Sequence, residues 1–381
     1  MKINSPLVER VIAFVIIFTI IFNISTAVCG NKYDVFSSNY WSRYDKLKKT
    51  YYDSIYGNKK GQFIRDELVY SFAAGSLIRG VSPILVNPET PPLGKYFIAL
   101  SVLFFNNEHI TTILFGVASL VLLYLLGRQV LSSTLLSLLP VLLLSFDRLF
   151  LNQFVYTPLL DIVQLFFLLA FFIFFNKSEN NKNYTIYFLI ANLMLGGFIS
   201  VKFFGSGVTL FGAALIVLLL RKQYHKTIIY LITFITAPIT LLSMYIPVLL
   251  KGYSIKGFLG IQKWIFLYNS GHLTKYFTFF PLFLMNKWYS WWDQSILSDS
   301  QWRITWPISM VTLQLTSWIH IKYLKSRNKG LDIVLVWTVL YILLLQVGYV
   351  SSRYFVILLP ELFLIMVYLF RILVMKFSRV K

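Results

Sequence analysis

Apolar segments long enough to cross a bilayer recur along this chain, and nothing else about it limits the fold so strongly. A transmembrane helix needs about 20 mostly apolar residues, and the run from Val11 to Val28 opens a series that qualifies. In hydrocarbon the backbone must satisfy its own hydrogen bonds, so recurring spans joined by short loops mean a helical bundle. Of the 381 residues, 57% are hydrophobic and 13% charged, whereas soluble domains are about a quarter charged. The chain therefore reads as an all-α, polytopic integral membrane protein, one domain over residues 1–381. The first apolar run is long and shows no small-residue cleavage site, so it reads as a retained helix rather than a signal peptide.

Ten spans are expected, near residues 8–29, 110–127, 131–147, 158–175, 184–201, 204–220, 226–249, 304–324, 331–347 and 354–374. The segment 93–105 is apolar but short. Its helix would rise about 20 Å, less than the roughly 30 Å hydrocarbon core. It is placed as a re-entrant or interfacial helix on the side of the long first loop, 30–109.

Charge supports that choice. The formal net charge is +20, and in so apolar a chain the basic residues serve topology and lipid headgroups rather than nucleic acid. With the N-terminus inside, the inside segments carry Lys2, Arg10, Arg128, Lys177, Lys182, Arg221, Lys222, Lys226, Lys322, Lys325, Arg327, Lys329, Arg371, Lys376, Arg379 and Lys381. Against these 16 stand three acids, Glu9, Glu179 and Asp332, which leaves 12 of the 15 acids outside. If 93–105 spanned, every later loop would change sides and the basic clusters would face outward.

The outside face then collects the polar residues that could carry chemistry. Asp66 and Glu67 stand in the first loop, and Lys95 ends the turn Pro91-Pro92-Leu93-Gly94-Lys95. Asp161 opens a span after Pro158, Lys202 follows a span, and Arg353 precedes the last one. Ionisable residues at span ends are costly and so are functional candidates. Solvated loop charges, snorkelling lysines and an arginine topology anchor are the plain alternatives. Asp147 and Arg148 read as a local pair. The second long loop, 250–303, and its border are rich in aromatics (Trp264, Trp288, Tyr289, Trp291, Trp292, Trp302, Trp306). These suit an interfacial belt or a platform for a lipid chain or sugar ring.

Acids beside cations at a membrane surface suit a lipid-linked phosphosugar. Lys and Arg would hold the phosphate and stabilise it as the departing group. A carboxylate would take the proton of an acceptor hydroxyl. There is no glycine-rich nucleotide fingerprint. The single cysteine, Cys29, and the scattered histidines give no metal-ligand spacing. No cofactor is required by the sequence, although Asp66 and Asp161 could share a divalent cation through hard oxygen ligands.

At these residues the chain resembles the dolichyl-phosphate-mannose protein mannosyltransferases and, more distantly, the lipid A aminoarabinose transferases, both of the GT-C class. The resemblance lies in RDELVY (65–70), NPETPPLGKYFIAL (87–100) and SFDRLFLNQFVYTPLLDIVQLFF (145–167), and covers about residues 60–220. Ser200, Lys202 and Gly205 match the family's SxKxxG-type element, and Arg353, Tyr354, Leu359 and Pro360 echo its late segment. Thr90 stands where the family usually has histidine, and Tyr156 where many members have arginine. Loop 250–303 is too short for the lumenal β-trefoil inserts of the eukaryotic enzymes. The resemblance implies a GT-C bundle in a prokaryotic, archaeal or bacterial, plasma membrane, with its active site facing outside. It implies an inverting transferase moving mannose or another hexose from a polyprenyl- or dolichyl-phosphate donor to a protein, glycan or lipid acceptor. Asp66 would be the base, with Glu67 and Asp161 beside it, and Lys95, Lys202 and Arg353 near the donor phosphate. A lipid-linked sugar flippase, or a catalytically inactive relative, is the rival reading. Candidate charges at one interface and the lack of an internal repeat weigh against a transporter.

Overall fold

The computed structural model describes residues 6–30, 35–57, 64–202, 205–271, 275–290, 295–322 and 328–377. Helix α1 (Pro6–Gly30) leads to α2 (Tyr40–Ile55), α3 (Asp66–Ile78) and α4 (Leu93–Phe105). Next come α5 (Ile110–Leu131), α6 (Thr134–Ser145) and α7 (Arg148–Leu151), which runs into a π-helical turn, Asn152–Tyr156. The long helices α8 (Leu160–Asn180) and α9 (Tyr184–Val201) follow, then α10 (Gly205–Leu220). A broken series α11 (Tyr224–Thr233), α12 (Thr236–Ser243) and α13 (Ile246–Leu250) leads to α14 (Ile255–Gly271) and α15 (Phe279–Met285). Strands Trp288–Tyr289 and Ile296–Leu297 pair antiparallel, with Trp288 opposite Leu297. Helices α16 (Thr305–Lys322) and α17 (Lys329–Leu345), a 3₁₀ turn (Ser352–Ile357) and α18 (Leu359–Phe377) complete the description.

Two helices show how apolar sequence is sorted. α8 is apolar on all sides and buried on all sides: Leu160, Ile162, Val163, Leu165, Leu168 and Phe171 are each fully enclosed. It is the central strut, packed against α5, α9, α17 and the 3₁₀ turn. α1 is equally apolar but lies on the outside, with Phe14, Phe18 and Phe22 largely uncovered. So continuous an exposed apolar helix has no aqueous environment that would tolerate it. Its solvent is the bilayer.

A helix or broken helix occupies each of the ten apolar segments read from the sequence. Five described helices are long and apolar enough to cross a membrane alone, and six if the bent pair Thr134–Ser145 and Arg148–Tyr156 is one span. The others fall short for visible reasons. α17 has 17 residues, and α16 is diluted by Gln314, Thr316 and His320. Lys2, Lys325, Arg327, Arg379, Lys381, Trp291 and Trp292 lie outside the described residues.

Side-chain contacts define the two ends of the bundle. At one end Arg221 bridges Glu179 at the foot of α8 and Asp332 at the head of α17, and His320 of α16 meets Asp332 at 2.5 Å. Asn176 donates to the Gly330 carbonyl at 3.0 Å in the same region. At the other end stand the first turns of α3 and α8, the end of α9 and the 3₁₀ turn. Helix α4 lies there too, because Gly94 packs directly on Leu160 and Val201. The absence of a side chain at Gly94 permits that approach: a Cβ would stand 2.7 Å from Leu160 Cδ2 and 3.2 Å from Val201 Cγ1.

Candidate active site

Helix ends place the site. Pro158 restricts the residue before it to extended backbone, and Thr157 has φ −125° and ψ 118°. α8 therefore starts afresh at Leu160 and carries Asp161 in its first turn, where the helix dipole favours a carboxylate. α9 runs antiparallel to α8 and ends at Val201, so Lys202 emerges beside that first turn. Lys202 Nζ donates to Asp161 Oδ1 at 2.5 Å, and the Asp161 side chain is only 1% exposed. The second carboxylate oxygen, Oδ2, is buried without a hydrogen-bond partner among the described residues.

The second pair joins more distant parts of the chain. Asp66 begins α3, again at a helix N-terminus. Arg353 Nη1 of the 3₁₀ turn donates to Asp66 Oδ2, and Tyr70, one turn along α3, donates to the same oxygen at 3.3 Å. The turn is braced from outside: Gln153 donates to the Arg353 carbonyl at 3.1 Å and Tyr341 to the Tyr354 carbonyl at 3.3 Å.

Tyr354 connects the pairs. Arg353 Nη2 donates to its hydroxyl at 3.1 Å, and the guanidinium carbon stands 5.0 Å from its ring centroid. Lys202 Nζ also stands 5.0 Å from that centroid. Both cations thus lie within cation–π range of one ring, and Asp66, Arg353, Tyr354, Lys202 and Asp161 form a continuous cluster. Asp66 and Arg353 are about a quarter exposed, at 26% and 29% of their side chains, so this part of the cluster is open to a ligand.

Three residues depart from the sequence expectation. Glu67 is turned to Arg65, at 3.0 Å, because consecutive helical residues point about 100° apart. It does not join the pair made by its neighbour Asp66. The resemblance implies Lys95 near the donor phosphate, but its ammonium is fully buried against the 87–90 turn. It donates to the Asn87 carbonyl at 2.6 Å and the Thr90 carbonyl at 2.9 Å. Burial pushes it down to about 7, opposed by the charge of Glu89. Asp147 does not pair with Arg148. It caps α7 by accepting from the amides of Leu149 at 2.9 Å and Phe150 at 3.2 Å, and accepts from Trp306 Nε1 at 3.0 Å.

The aromatic segment also divides. Trp306 is a core residue stacked with Phe283, whereas Trp264 is exposed and stacks on Tyr268. Thr90, the histidine position of the resembled family, donates to Asn87 Oδ1 within the turn that Lys95 holds. Tyr156 lies at the surface against Ala27 of α1. Sequence reading missed Tyr70, Gln153 and Tyr341. The i, i+4 spacing of Asp66 and Tyr70 was the one available signal. Among the described residues, no group of three or more His, Cys, Asp or Glu could hold a metal ion. Asp66 and Asp161 each have a fixed cation partner instead of facing one another unpaired.

Residues 89–250 match the family described as dolichyl-phosphate-mannose-protein mannosyltransferase. The match includes Lys95, Asp161 and Lys202, begins after Asp66 and Glu67, and ends before Arg353. No curated protein matches the sequence. Among solved structures, the chain is similar to ArnT from Cupriavidus metallidurans bound to undecaprenyl phosphate, with a TM-score of 0.59 at 10% identity. That alignment covers 81% of this chain and 56% of ArnT. It is also similar to the archaeal oligosaccharyltransferase AglB from Archaeoglobus fulgidus, in complex with an inhibitory peptide and a dolichol-phosphate. There the TM-score is 0.56 at 12% identity, covering 98% of this chain and 51% of AglB. The chain thus spans about half the length of these proteins. Its fold is that of the GT-C glycosyltransferases.

Proposed function

We propose that this chain is an inverting glycosyltransferase that moves a sugar, mannose or another hexose, from a polyprenyl- or dolichyl-phosphate donor to a hydroxyl acceptor. The observation that carries the reading is the cluster of two carboxylates and two cations around Tyr354, at one end of an apolar bundle. The family match and the lipid-phosphate complexes of the similar structures support the donor class.

Lys202 and Arg353 receive the donor phosphate across the Tyr354 ring, while the lipid tail stays in the bilayer. Charge-assisted hydrogen bonds from these cations strengthen as negative charge builds on the departing phosphate oxygen. The acceptor oxygen attacks the anomeric carbon from the opposite face. The bond from that carbon to the phosphate oxygen breaks, and its electron pair leaves with the phosphate. Asp66 takes the acceptor's proton. The hydroxyl becomes strongly acidic only as it bonds to carbon, so a carboxylate already paired with arginine is basic enough for a late transfer. Asp161 holds Lys202 in place. Lys95 shapes the wall of the site by fixing the 87–90 turn. The acceptor is a protein, glycan or lipid hydroxyl.

The site faces away from the cytoplasm in this reading. Support comes from Arg128, Lys177, Lys182, Arg221, Lys222, Lys226, Lys322 and Lys329, which flank the helix ends opposite the cluster. The setting is a prokaryotic plasma membrane.

The test is transfer in proteoliposomes from polyprenyl-phosphate mannose to Ser/Thr peptides and to glycan and lipid alcohols. Asp66→Asn is expected to abolish release of polyprenyl phosphate while the protein stays folded. Near-normal release in that variant would remove Asp66 as the base. Donor crossing the membrane intact, without release, would mark a flippase.

A further inference from the structure

We infer that Tyr70 is a positioning residue that fixes which carboxylate oxygen of Asp66 accepts the proton, an inference that rests on the assignment of Asp66 as base. Tyr70 is four residues beyond Asp66 on α3 and therefore on the same face. Its side chain is buried, with only 3% of the residue exposed, and its hydroxyl reaches Asp66 Oδ2 at 3.3 Å. Arg353 Nη1 approaches that same oxygen. Among the described residues no group donates to Oδ1.

The asymmetry has a chemical consequence. A carboxylate held by one donor can rotate about its last torsion and exchange its oxygens. Two donors converging on Oδ2 from α3 and from the 3₁₀ turn resist that exchange. Oδ1 then keeps its lone pairs available for the acceptor, on a side chain that is 26% exposed. The acceptor's O–H bond breaks toward Oδ1 as its oxygen bonds to the anomeric carbon. Burial holds the Tyr70 hydroxyl well above the ordinary tyrosine range, so it remains a donor throughout. The other groups facing this pair are Asp161 with Lys202, Tyr354 from the 3₁₀ turn and Tyr268 from α14. A role in packing alone would be filled equally well by phenylalanine.

Tyr70→Phe in the full chain, reconstituted in lipid nanodiscs, tests this. The Asp66 carboxylate band is identified by infrared difference against Asp66→Asn and titrated, a readout that needs no sugar substrate. Loss of a hydrogen bond to the charged form should raise the protonation midpoint by about one pH unit. With polyprenyl-phosphate mannose as donor, kcat should fall about ten-fold, the scale of one hydrogen bond to a charged group, with KM for the donor unchanged. An unmoved midpoint with full kcat overturns the inference. If Tyr70→Phe fails to fold, a fluorotyrosine at position 70 keeps ring and hydroxyl but donates more strongly. Its midpoint should fall, and an unchanged midpoint overturns the inference equally. Full turnover in Asp66→Asn would fell the base assignment and this inference together. A dead Asp66→Asn beside a silent Tyr70→Phe would fell this inference alone.

Discussion

The ammonium of Lys202 lies 2.5 Å from Oδ1 of Asp161, across 41 residues of sequence, and the carboxylate it meets is almost wholly enclosed. Removing one partner of such a pair leaves an uncompensated charge and costs about 3–5 kcal/mol. Lys202→Met should therefore lower thermal stability in detergent strongly. The double variant Asp161→Asn with Lys202→Met should recover much of that stability and none of the transfer activity. Additive losses in the double variant would show that the two charges do not compensate one another.

Arg353 makes two directed contacts, Nη1 to Asp66 and Nη2 to the Tyr354 hydroxyl. A lysine ammonium cannot reproduce that planar fork. Arg353→Lys is expected to reduce kcat/KM by roughly ten- to a hundred-fold, the loss of one charge-assisted bond. Steady-state kinetics with polyprenyl-phosphate mannose would measure it, and wild-type values would remove the fork from the mechanism.

Lys95 gives a pH signature. Its folded value of about 7 lies below the ordinary lysine value of 10.5. Between those values the unfolded chain holds the proton and the folded one has released it, so stability rises with pH across that window. Below about pH 7 both states are protonated and the burial cost is fully present. A neutral amine still has two N–H donors, enough for the Asn87 and Thr90 carbonyls. Chemical-denaturation midpoints from pH 7 toward pH 10 should rise for the wild type relative to Lys95→Met. Parallel curves would contradict this.

Arg221 is the corresponding keystone at the other end, with Nε 2.9 Å and Nη2 2.6 Å from Asp332 Oδ2, and Nη1 on Glu179. Arg221→Ala should destabilise by about 3–5 kcal/mol, since buried Glu179 loses its cation and Asp332 keeps only His320. The α8 helix separates this network from the candidate site by roughly 30 Å of rise. Turnover per folded molecule should hence stay near normal, to be measured on protein selected by size-exclusion chromatography.

Gly94 presses α4 against the residues beside both members of the Asp161–Lys202 pair, Leu160 and Val201. Alanine there meets side-chain ends that can shift, so Gly94→Ala should be mild. A branched side chain forces α4 away, and Gly94→Val should cost transfer activity about ten-fold or more, in line with a misplacement of the site. Equal activity in the two variants would show that this contact does not set the geometry.

Much of the architecture is legible along the chain because hydrocarbon imposes a simple rule. Apolar runs must become helices, and among the described residues five helices, or six with the bent pair, are long and apolar enough to span. Asp161 and Lys202 could be brought to one end from sequence because α8 and α9 are consecutive antiparallel helices. Arg353 could be placed at a span end, but 287 residues separate it from Asp66, and no periodicity names that partner. Asp66 and Glu67 stand out together as adjacent acids in the first loop, yet a helix turns neighbours in different directions, and only Asp66 enters the cluster.

By itself, then, the sequence determined the class of solvent, the helical segments and the helix ends near which the charged residues collect, since these follow from local polarity and length. The tertiary structure decided which of them meet. It turned Lys95 into its own loop, set Tyr354 between two cations and gave Oδ2 of Asp66 two donors. Those choices depend on side-chain direction and on contacts between distant helices, for which a linear pattern carries no coordinate.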